Sequence, residues 1–355
     1  MNSVVSPNET AQVAELKTAW AQYLAKHPGA RIRNAAEALD VSEMDLLATQ
    51  CGDTVTRLDA DWGLFLKHFT SLGEVMALTR NDNAVHEKIG VYDHINIGPG
   101  HGLVLNKDID LRLFMNNWHH GFAVSEETAS GMRRSFQFFD VDGVAVHKTY
   151  LTDSSHVSNY HALVEQFTSK DQSRKVQTLP LPPAAANPSD SEIDVENFRK
   201  HWRALQDTHD FVALLRSFGV SRLQALRLAG DDLAYPVEPA AFRQLLNLAA
   251  ERETPIMVFV GNRGCIQIHT GPVKKLKAAG PWYNVLDPSF NLHLREDAIA
   301  SAWVVRKPTR DGVVTSVELF DAQDRNFALL FGERKPGKPE LKAWLDIVAE
   351  LPRAT

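Results

Sequence analysis

Hydrophobic and polar positions along this chain follow two periods, and the same change of period occurs twice. In several segments apolar residues recur every three to four positions, which predicts amphipathic helices. These segments are 11–25, 35–50 and 58–72 in the first half, and 195–205, 210–218, 222–228 and 239–251 in the second. After each helical run the pattern changes to alternation of every second residue, as in DLRLF (110–114) and NLHLRE (291–296). Such alternation predicts strands with one face towards a core.

The order of these elements indicates the fold class. Within each half the helices come first and the strands follow, which is typical of an α+β protein and not of a doubly wound parallel sheet. Alternating strands separated by short turns favour antiparallel pairing. The pattern therefore predicts two α+β halves, each with an antiparallel sheet and flanking helices.

The two halves are also related in sequence. A shift of 181 residues aligns 75–85 with 256–266, and 103–113 with 284–294. From Met76 to Asp140 this alignment needs no gap and contains thirteen identities, where roughly four would arise by chance at average residue usage. We infer an internal duplication.

A segment without apolar periodicity separates the halves. Residues 169–194 are rich in Pro, Ser and Ala, a composition typical of a linker. The predicted organisation is an N-terminal repeat over 1–168, a linker over 169–194 and a C-terminal repeat over 195–355.

Composition narrows the class of protein. Of 355 residues, 44% are hydrophobic and 23% are charged, and the net charge is −6, which does not favour nucleic acid as a main partner. Two cysteines are too few for a cysteine zinc site or a disulfide framework. No apolar run approaches the roughly 18 residues of a membrane span, and the N-terminus does not resemble a signal peptide. We therefore expect a cytoplasmic protein.

One segment supports a different interpretation of function. Residues 32–48 have the pattern of a helix-turn-helix, which would make the protein a DNA-binding regulator. The pattern recurs at 214–228, however, as expected for a structural helix pair present once per repeat. The second helix of the first copy carries Glu43 and Asp45 and no basic residue to meet phosphates. The DNA-binding regulator is thus the alternative and not the preferred interpretation.

Among fourteen histidines, His209 is distinguished by its context. Asp207 or Thr208 can cap a helix whose first turn would hold the imidazole. The positive end of the helix dipole favours the neutral ring, which is the form that ligates iron. On these grounds alone, an exposed surface histidine and an iron ligand both fit.

Several segments, taken together in their order, resemble a known family. They are DTHDF (207–211), IMVFVGNRGCIQIHTGPV (256–273), GPWYNVLDPSFNLHLRED (280–297), WVVRKPT (303–309) and LFGERKPG (330–337), with DLRLF (110–114) and NNW (116–118) in the first half. This set is similar to the cytoplasmic haem-handling proteins of Gram-negative bacteria, the haemin-degrading factor or HemS/ChuS/PhuS family. The resemblance covers both halves of the chain.

The resemblance implies a fold and an iron site. Family members have two structurally duplicated halves, each a large antiparallel sheet with helices, and a haem cleft between the halves. By similarity His209 corresponds to the ligand of the haem iron, Arg112 to a distal-side arginine with a catalytic role, and Phe114 to an aromatic wall. In the repeat alignment Arg112 falls opposite His293, which implies one asymmetric haem site and not two equivalent ones.

The remaining expected contacts lie at the edge of the haem. Arg222, Lys307 and Arg334 correspond to cations near the two propionates of b-type haem, iron protoporphyrin IX. Such cations pair well with carboxylates. Transient contacts of His119, His120 and His293 with iron stay open.

Two activities follow from the resemblance. As an enzyme, the protein would open haem oxidatively in the manner of a haem oxygenase. It would need an external reductase, because the sequence has no flavin or nicotinamide motif. As a carrier, it would accept haem after an inner-membrane importer and hand it to a separate haem oxygenase. The sequence does not separate these roles.

Overall fold

The computed structural model describes residues 7–183, 186–334 and 337–354. Within these ranges the chain forms ten α-helices and eighteen β-strands. The helices are α1 (Pro7–Lys26), α2 (Ile32–Ala38), α3 (Glu43–Ala48), α4 (Trp62–Lys67), α5 (Val157–Phe167), α6 (Val195–Arg203), α7 (Asp210–Phe218), α8 (Arg222–Ala229), α9 (Ala241–Glu251) and α10 (Lys342–Ala349). None of the helices in these ranges is long and apolar enough to cross a membrane.

Most strands follow the helices in each half, as the sequence predicted. The exceptions are Val55–Leu58 and Ala234–Val237, which precede α4 and α9, and the helices α5 and α10, which follow the last strands and were not predicted. In the first half they are β1 (Val55–Leu58), β2 (Gly73–Arg80), β3 (Ala84–Val91), β4 (Ile95–Ile97), β5 (His101–Leu105), β6 (Asp110–Phe114), β7 (His120–Thr128), β8 (Gly131–Phe139) and β9 (Ala145–Ser155). In the second half they are β10 (Ala234–Val237), β11 (Ile256–Gly261), β12 (Cys265–Gly271), β13 (Leu276–Ala279), β14 (Trp282–Asp287), β15 (Phe290–Arg295), β16 (Ser301–Thr309), β17 (Gly312–Phe320) and β18 (Asn326–Gly332).

In the described part of the chain these strands form two antiparallel sheets of nine strands each. One sheet has the order β1-β7-β8-β9-β2-β3-β15-β14-β13, and the other has the order β10-β16-β17-β18-β11-β12-β6-β5-β4. The second order is the first with each strand replaced by its counterpart in the other half of the sequence. The predicted α+β class is confirmed.

Individual elements preserve the register of the duplication. β7 and β8 lie 181 residues before β16 and β17, with matching first and last positions in both pairs. The short 3₁₀ turns Met115–Asn117 and Glu296–Ala298 keep the same offset. The predicted internal duplication is confirmed.

The predicted helix at 35–50 is in fact two helices. α2 ends before Asp40, whose φ of 53° is left-handed, and α3 begins after Ser42, whose hydroxyl accepts the backbone N–H of Asp45 at 3.0 Å. Ser221 caps α8 in the same way. Five of the six residues of α3 are buried, so this helix has no exposed face to enter a DNA groove. The helix-turn-helix pattern therefore marks a structural pair, and nothing in the described residues favours the DNA-binding alternative.

The predicted helix at 58–72 begins later than the apolar pattern indicated. Leu58 is the last residue of β1. Asp61 then caps α4 by accepting the backbone N–H of Leu64 at 2.9 Å, and the helix tightens to a 3₁₀ turn over His68–Leu72. The cap, and not the first apolar residue, sets where the helix starts.

The described chain divides into two compact units that differ from the two sequence halves. Unit 1 contains the described residues up to Thr79, together with Ile89–Pro182 and Asn262–Cys265. Unit 2 contains Arg80–Lys88, Pro183–Gly261 and the described residues from Ile266 onward. Each unit thus includes a short piece of the other half of the sequence.

Unit 2 buries its strands beneath two groups of helices. Phe242 of α9 and Ile347 of α10 pack in one cluster with β11 and β18. Trp202 of α6 and Phe211 of α7 pack in another cluster with Phe320 of β17. Burying an aromatic side chain of this size stabilises the fold by about 2 kcal/mol. The second cluster holds α7 against the sheet.

Unit 1 contains a polar network in its core. The phenol of Tyr92 lies 2.5 Å from Nε2 of His147 and 2.9 Å from Oγ1 of Thr149. Nδ1 of His147 lies 2.8 Å from Oγ1 of Thr79, which donates to Sγ of Cys265 at 3.4 Å. All five side chains are buried. Because each polar group has a partner, the network avoids the cost of an unsatisfied buried group.

The corresponding positions of the other half are apolar. Offset by 181 residues, the counterparts of the five network residues are all buried: Ala84, Val260, Val273, Ala328 and Leu330. The same backbone therefore accepts either a polar network or an apolar core at this place. The fold does not require the network.

We predict that the protein loses stability as the pH falls from 7.5 to 5.5. Burial lowers the pKa of His147 and of His269 to about 3 and holds the pKa of His86 well below its ordinary value. In the unfolded chain a histidine titrates near pH 6.5. Below that pH the unfolded chain binds protons that the folded chain does not, so the stability present above pH 6.5 falls by up to about 1.4 kcal/mol per pH unit for each histidine.

Urea unfolding at pH 7.5, 6.5 and 5.5 measures this loss. His161→Gln is the matched control, because His161 is exposed on α5 and its replacement leaves the pH dependence unchanged. A free energy of unfolding that stays flat over this range would contradict the prediction.

Candidate functional site

His209 stands immediately before α7 and is its N-cap residue. The predicted helix over 210–218 is confirmed, with the imidazole one position before the first turn. Gly219 ends the helix with a φ of 66°, the left-handed conformation that a glycine permits at a helix C-terminus. Near the other end, the ring of Phe211 lies 4.5 Å from that of Trp202, centroid to centroid. The buried face of α7 thus gives His209 a fixed support.

The imidazole of His209 is exposed, and its Nδ1 edge contacts Asp207. Its side chain is 88% exposed, and Nδ1 lies 2.6 Å from Oδ1 of Asp207. The same oxygen accepts the backbone N–H of His209 at 2.8 Å. No partner for Nε2 is found among the described residues. These bonds, with a smaller effect from Arg334, hold the pKa of Asp207 below its ordinary value.

Arg334 lies near this pair. Its positive charge acts on Asp207 and on Glu340, and its side chain is half-buried. Arg334 therefore belongs to unit 2, as His209 does, and its charge acts on the carboxylate that holds His209.

The β16–β17 turn is hydrogen-bonded to the loop that precedes His209. The backbone N–H of Arg310, in the β16–β17 turn, donates to the carbonyl of Gln206 at 3.1 Å. The backbone N–H of Gly337 donates to Asp311 of the same turn at 3.2 Å. The β16–β17 turn is therefore hydrogen-bonded both to the loop before His209 and to Gly337.

A fully buried carboxylate of unit 2 binds two of the predicted cations. The carboxylate of Glu318, on β17, accepts hydrogen bonds from Nε and Nη2 of Arg222 at 2.6 and 2.8 Å. It also accepts a hydrogen bond from Nζ of Lys307 at 2.8 Å. The hydroxyl of Ser316 donates to it at 3.0 Å. Burial alone would raise the pKa of Glu318, but Arg222 and Lys307 outweigh burial and hold it well below the usual range. Burial also lowers the pKa of Lys307 to about 8.

The two cations also meet the ring of Phe211. The Arg222 guanidinium carbon is 5.3 Å and the Lys307 ammonium 4.8 Å from the ring centroid, within the range of cation–π attraction. With two cations and one carboxylate, the cluster carries an excess positive charge below the N-terminal part of α7. That excess favours an anionic ligand.

The other two predicted residues lie on β6 of unit 1. Arg112 is paired with Asp110 and is partly exposed. Burial raises the pKa of Asp110, and the nearby Arg112 opposes that shift. The ring of Phe114 is half-buried and meets His101 edge-on, with 6.0 Å between centroids.

The structure thus brings four of the six predicted residues into unit 2, namely His209, Arg222, Lys307 and Arg334, and places Arg112 and Phe114 in unit 1. Sequence reasoning missed Glu318, and it considered Asp207 only as a helix cap. A signal for Glu318 exists, since it lies between Val317 and Leu319 in a strand, where a buried carboxylate needs a cation.

The histidines left open as further iron contacts are engaged with their own neighbours. Nδ1 of His293 lies 2.7 Å from Oδ1 of Asn284. Nδ1 of His119 lies 3.2 Å from Asp140, and its ring centroid is 6.5 Å from that of His120. Transient iron contacts by these residues stay a hypothesis.

Comparison with known proteins identifies the same family that the sequence motifs resemble. The sequence profile of the family described as "Haemin-degrading HemS.ChuX domain" matches twice, at 40–167 and 219–351. The hemin transport protein HmuS of Yersinia pestis is 42% identical over 340 residues, which cover 95% of this chain and 97% of HmuS.

Solved structures are similar over nearly the whole length. The holo form of PhuS, a haem-binding protein from Pseudomonas aeruginosa, is 46% identical with a TM-score of 0.94, over 96% of this chain and 99% of PhuS. ChuS, an Escherichia coli haem oxygenase, is 36% identical with a TM-score of 0.85, over 95% of this chain and 99% of ChuS. With two profile matches and this degree of identity, the chain belongs to the haemin-degrading HemS/ChuX family.

Proposed function

We propose that this protein binds haem as its cargo or substrate, and that the imidazole of His209 ligates the haem iron. The observation that carries the proposal is the exposed Nε2 edge of His209, with Nδ1 held by Asp207. A neutral imidazole presented in this way is a ligand for iron. The family, and haem binding by the similar PhuS, support the same ligand.

The cations of unit 2 suit the two propionates of haem. The positive charge of Arg334 acts on Asp207, and Arg222 is partly exposed. A guanidinium can pair with a carboxylate through two parallel hydrogen bonds. Lys307 is buried and bound by Glu318, so its contribution is the positive charge that it adds to the cluster.

The roles of Arg112 and Phe114 are supported by the family resemblance. We propose that Arg112 is the distal, catalytic arginine and that Phe114 forms an aromatic wall of the haem site. Arginine is a donor without a lone pair. It can therefore donate hydrogen bonds on the distal side without occupying the open coordination position of the iron.

The physiological role we propose is the handling of imported haem in the cytoplasm. HmuS is a hemin transport protein and ChuS a haem oxygenase, so trafficking and oxidative opening both have a precedent in similar proteins. An importer or a separate haem oxygenase would be the partner of a carrier, and a reductase the partner of an enzyme. We propose for the repeats the bounds 1–168 and 195–355, with the linker at 169–194.

Replacing His209 tests the iron ligand. We expect His209→Ala to weaken haemin binding by roughly 10-fold or more, because a bond worth at least ~1.4 kcal/mol is lost, and to shift the Soret band. Absorbance titration measures both effects, and wild-type protein should saturate at one haemin per chain. His201→Ala, which removes an exposed histidine of α6, is the control. An unchanged spectrum and affinity in His209→Ala would refute the assignment.

Replacing Glu318 tests the charge cluster. We expect Glu318→Gln to lower the free energy of unfolding by about 3 kcal/mol, because the buried Lys307 and the partly exposed Arg222 lose their counter-charge. Glutamine fits the strand, since Gln137 occupies the counterpart position in β8. Adding Lys307→Met should restore part of the loss, as urea unfolding of the double variant would measure. A single variant as stable as wild type would contradict the electrostatic role.

A single-turnover reaction separates enzyme from carrier. One equivalent of haemin is bound, and a reductant is added under air with catalase present, because peroxide degrades haem without enzymatic help. Loss of the Soret band with a bilin product identifies an enzyme. A stable Soret band, with transfer of haem to a haem oxygenase, identifies a carrier. The absence of any haem spectrum would overturn the proposed function itself.

A further inference from the structure

We propose that Asp207 is a positioning residue for His209: its carboxylate fixes the imidazole tautomer with the proton on Nδ1 and so directs the lone pair of Nε2 towards the haem iron. The iron-binding part of this role rests on the proposed function. The tautomer is a property of the protein without haem and can be tested separately.

One carboxylate oxygen holds two groups of the same residue. Oδ1 of Asp207 accepts the backbone N–H of His209 at 2.8 Å and lies 2.6 Å from Nδ1 of its ring. The backbone bond closes a local turn in which an aspartate binds the backbone two residues on. That turn fixes the carboxylate relative to the start of α7. The ring bond then fixes the imidazole relative to the carboxylate.

The choice of tautomer follows from the chemistry of the partner. An ionised carboxylate only accepts hydrogen bonds, so the ring nitrogen that faces Asp207 must carry the proton. In the neutral ring the lone pair is then on Nε2, the exposed edge. Metal-ligating histidines commonly donate their second N–H to a carboxylate, which sets the ring orientation and makes the ligand more basic.

The constraint matters because the ring is otherwise exposed. With a side chain that is 88% exposed, His209 has little packing to select one rotamer or one tautomer. The residue is also the N-cap of α7, and its side chain makes no capping hydrogen bond there. Asp207 therefore supplies the orientation that packing does not supply.

Asp210 provides an internal control. It follows His209 directly, in the first turn of α7, and carries the same charge as Asp207. No hydrogen bond joins its side chain to His209 in the described part of the chain. Asp210→Asn therefore removes a negative charge near the ring and leaves the Asp207 contact intact.

Long-range ¹H–¹⁵N spectra of the histidine rings test the tautomer in the haem-free protein, with the His209 signal identified by its loss in His209→Ala. We expect the Nδ1–H form in wild type and in Asp210→Asn. In Asp207→Ala we expect a shift to the Nε2–H form, which free histidine prefers in water. An Nε2–H ring in wild type, or an unchanged ring in Asp207→Ala, would overturn the proposal.

Haemin titration of a double-variant cycle tests whether Asp207 acts on haem binding through His209. Asp207→Asn keeps an oxygen for the backbone bond but loses the charge, and we expect it to weaken haemin binding roughly 10-fold, with little change in Asp210→Asn. In a His209→Ala background the same substitution should have no effect. A wild-type affinity in Asp207→Asn, or an equal loss in both backgrounds, would overturn the positioning role. If wild type binds no haemin, the proposed function fails, while the tautomer measurement still decides the role of Asp207 in the protein alone.

Discussion

The carboxylate of Glu318 has no access to water, and the arrangement of unit 2 around His209 depends on how its charge is balanced. A buried ion without a partner costs several kcal/mol. Two elements supply the cations, Arg222 from the start of α8 and Lys307 from β16. Phe211 of α7 lies against both cations. One buried anion therefore ties α7, α8, β16 and β17 together, and α7 carries His209 at its end.

The duplication shows that the pairing of buried polar and charged groups depends on the side chains and is not required by the fold. Strands β7 and β8 repeat as β16 and β17 at a constant offset. Elsewhere in the repeat, unit 1 contains a polar network around His147 of β9 and Tyr92, and the matching positions of the other half are apolar. Strand register is set by the alternation of side chains, so the interior can exchange polar for apolar groups while the register stays the same.

The backbone was predictable because its signals are periodic and occur twice, but single residues interrupted the pattern. Apolar periodicity continues through Asp40, whose left-handed φ separates α2 from α3. The site was less predictable, because its contacts depend on side-chain directions. Asp207 looks like a helix cap in sequence, and its bond to the ring of His209 depends on a torsion that no spacing encodes. Glu318 lies 96 residues from Arg222, a pairing that the fold alone creates.

The same comparison explains why a cationic cluster of this kind occurs in one half. With Ser42 aligned on Ser221, and with the 181-residue offset in the strands, the counterparts of Arg222, Lys307 and Glu318 are Glu43, Glu126 and Gln137, respectively. The first half thus has carboxylates at the positions of the two cations and a neutral amide at the position of the carboxylate. Lys148 balances Glu43 in unit 1. Because the sign of the charge at the helix start is inverted, the cluster around Glu318 has an excess of positive charge, and the corresponding positions in the other half do not, although both halves share one backbone.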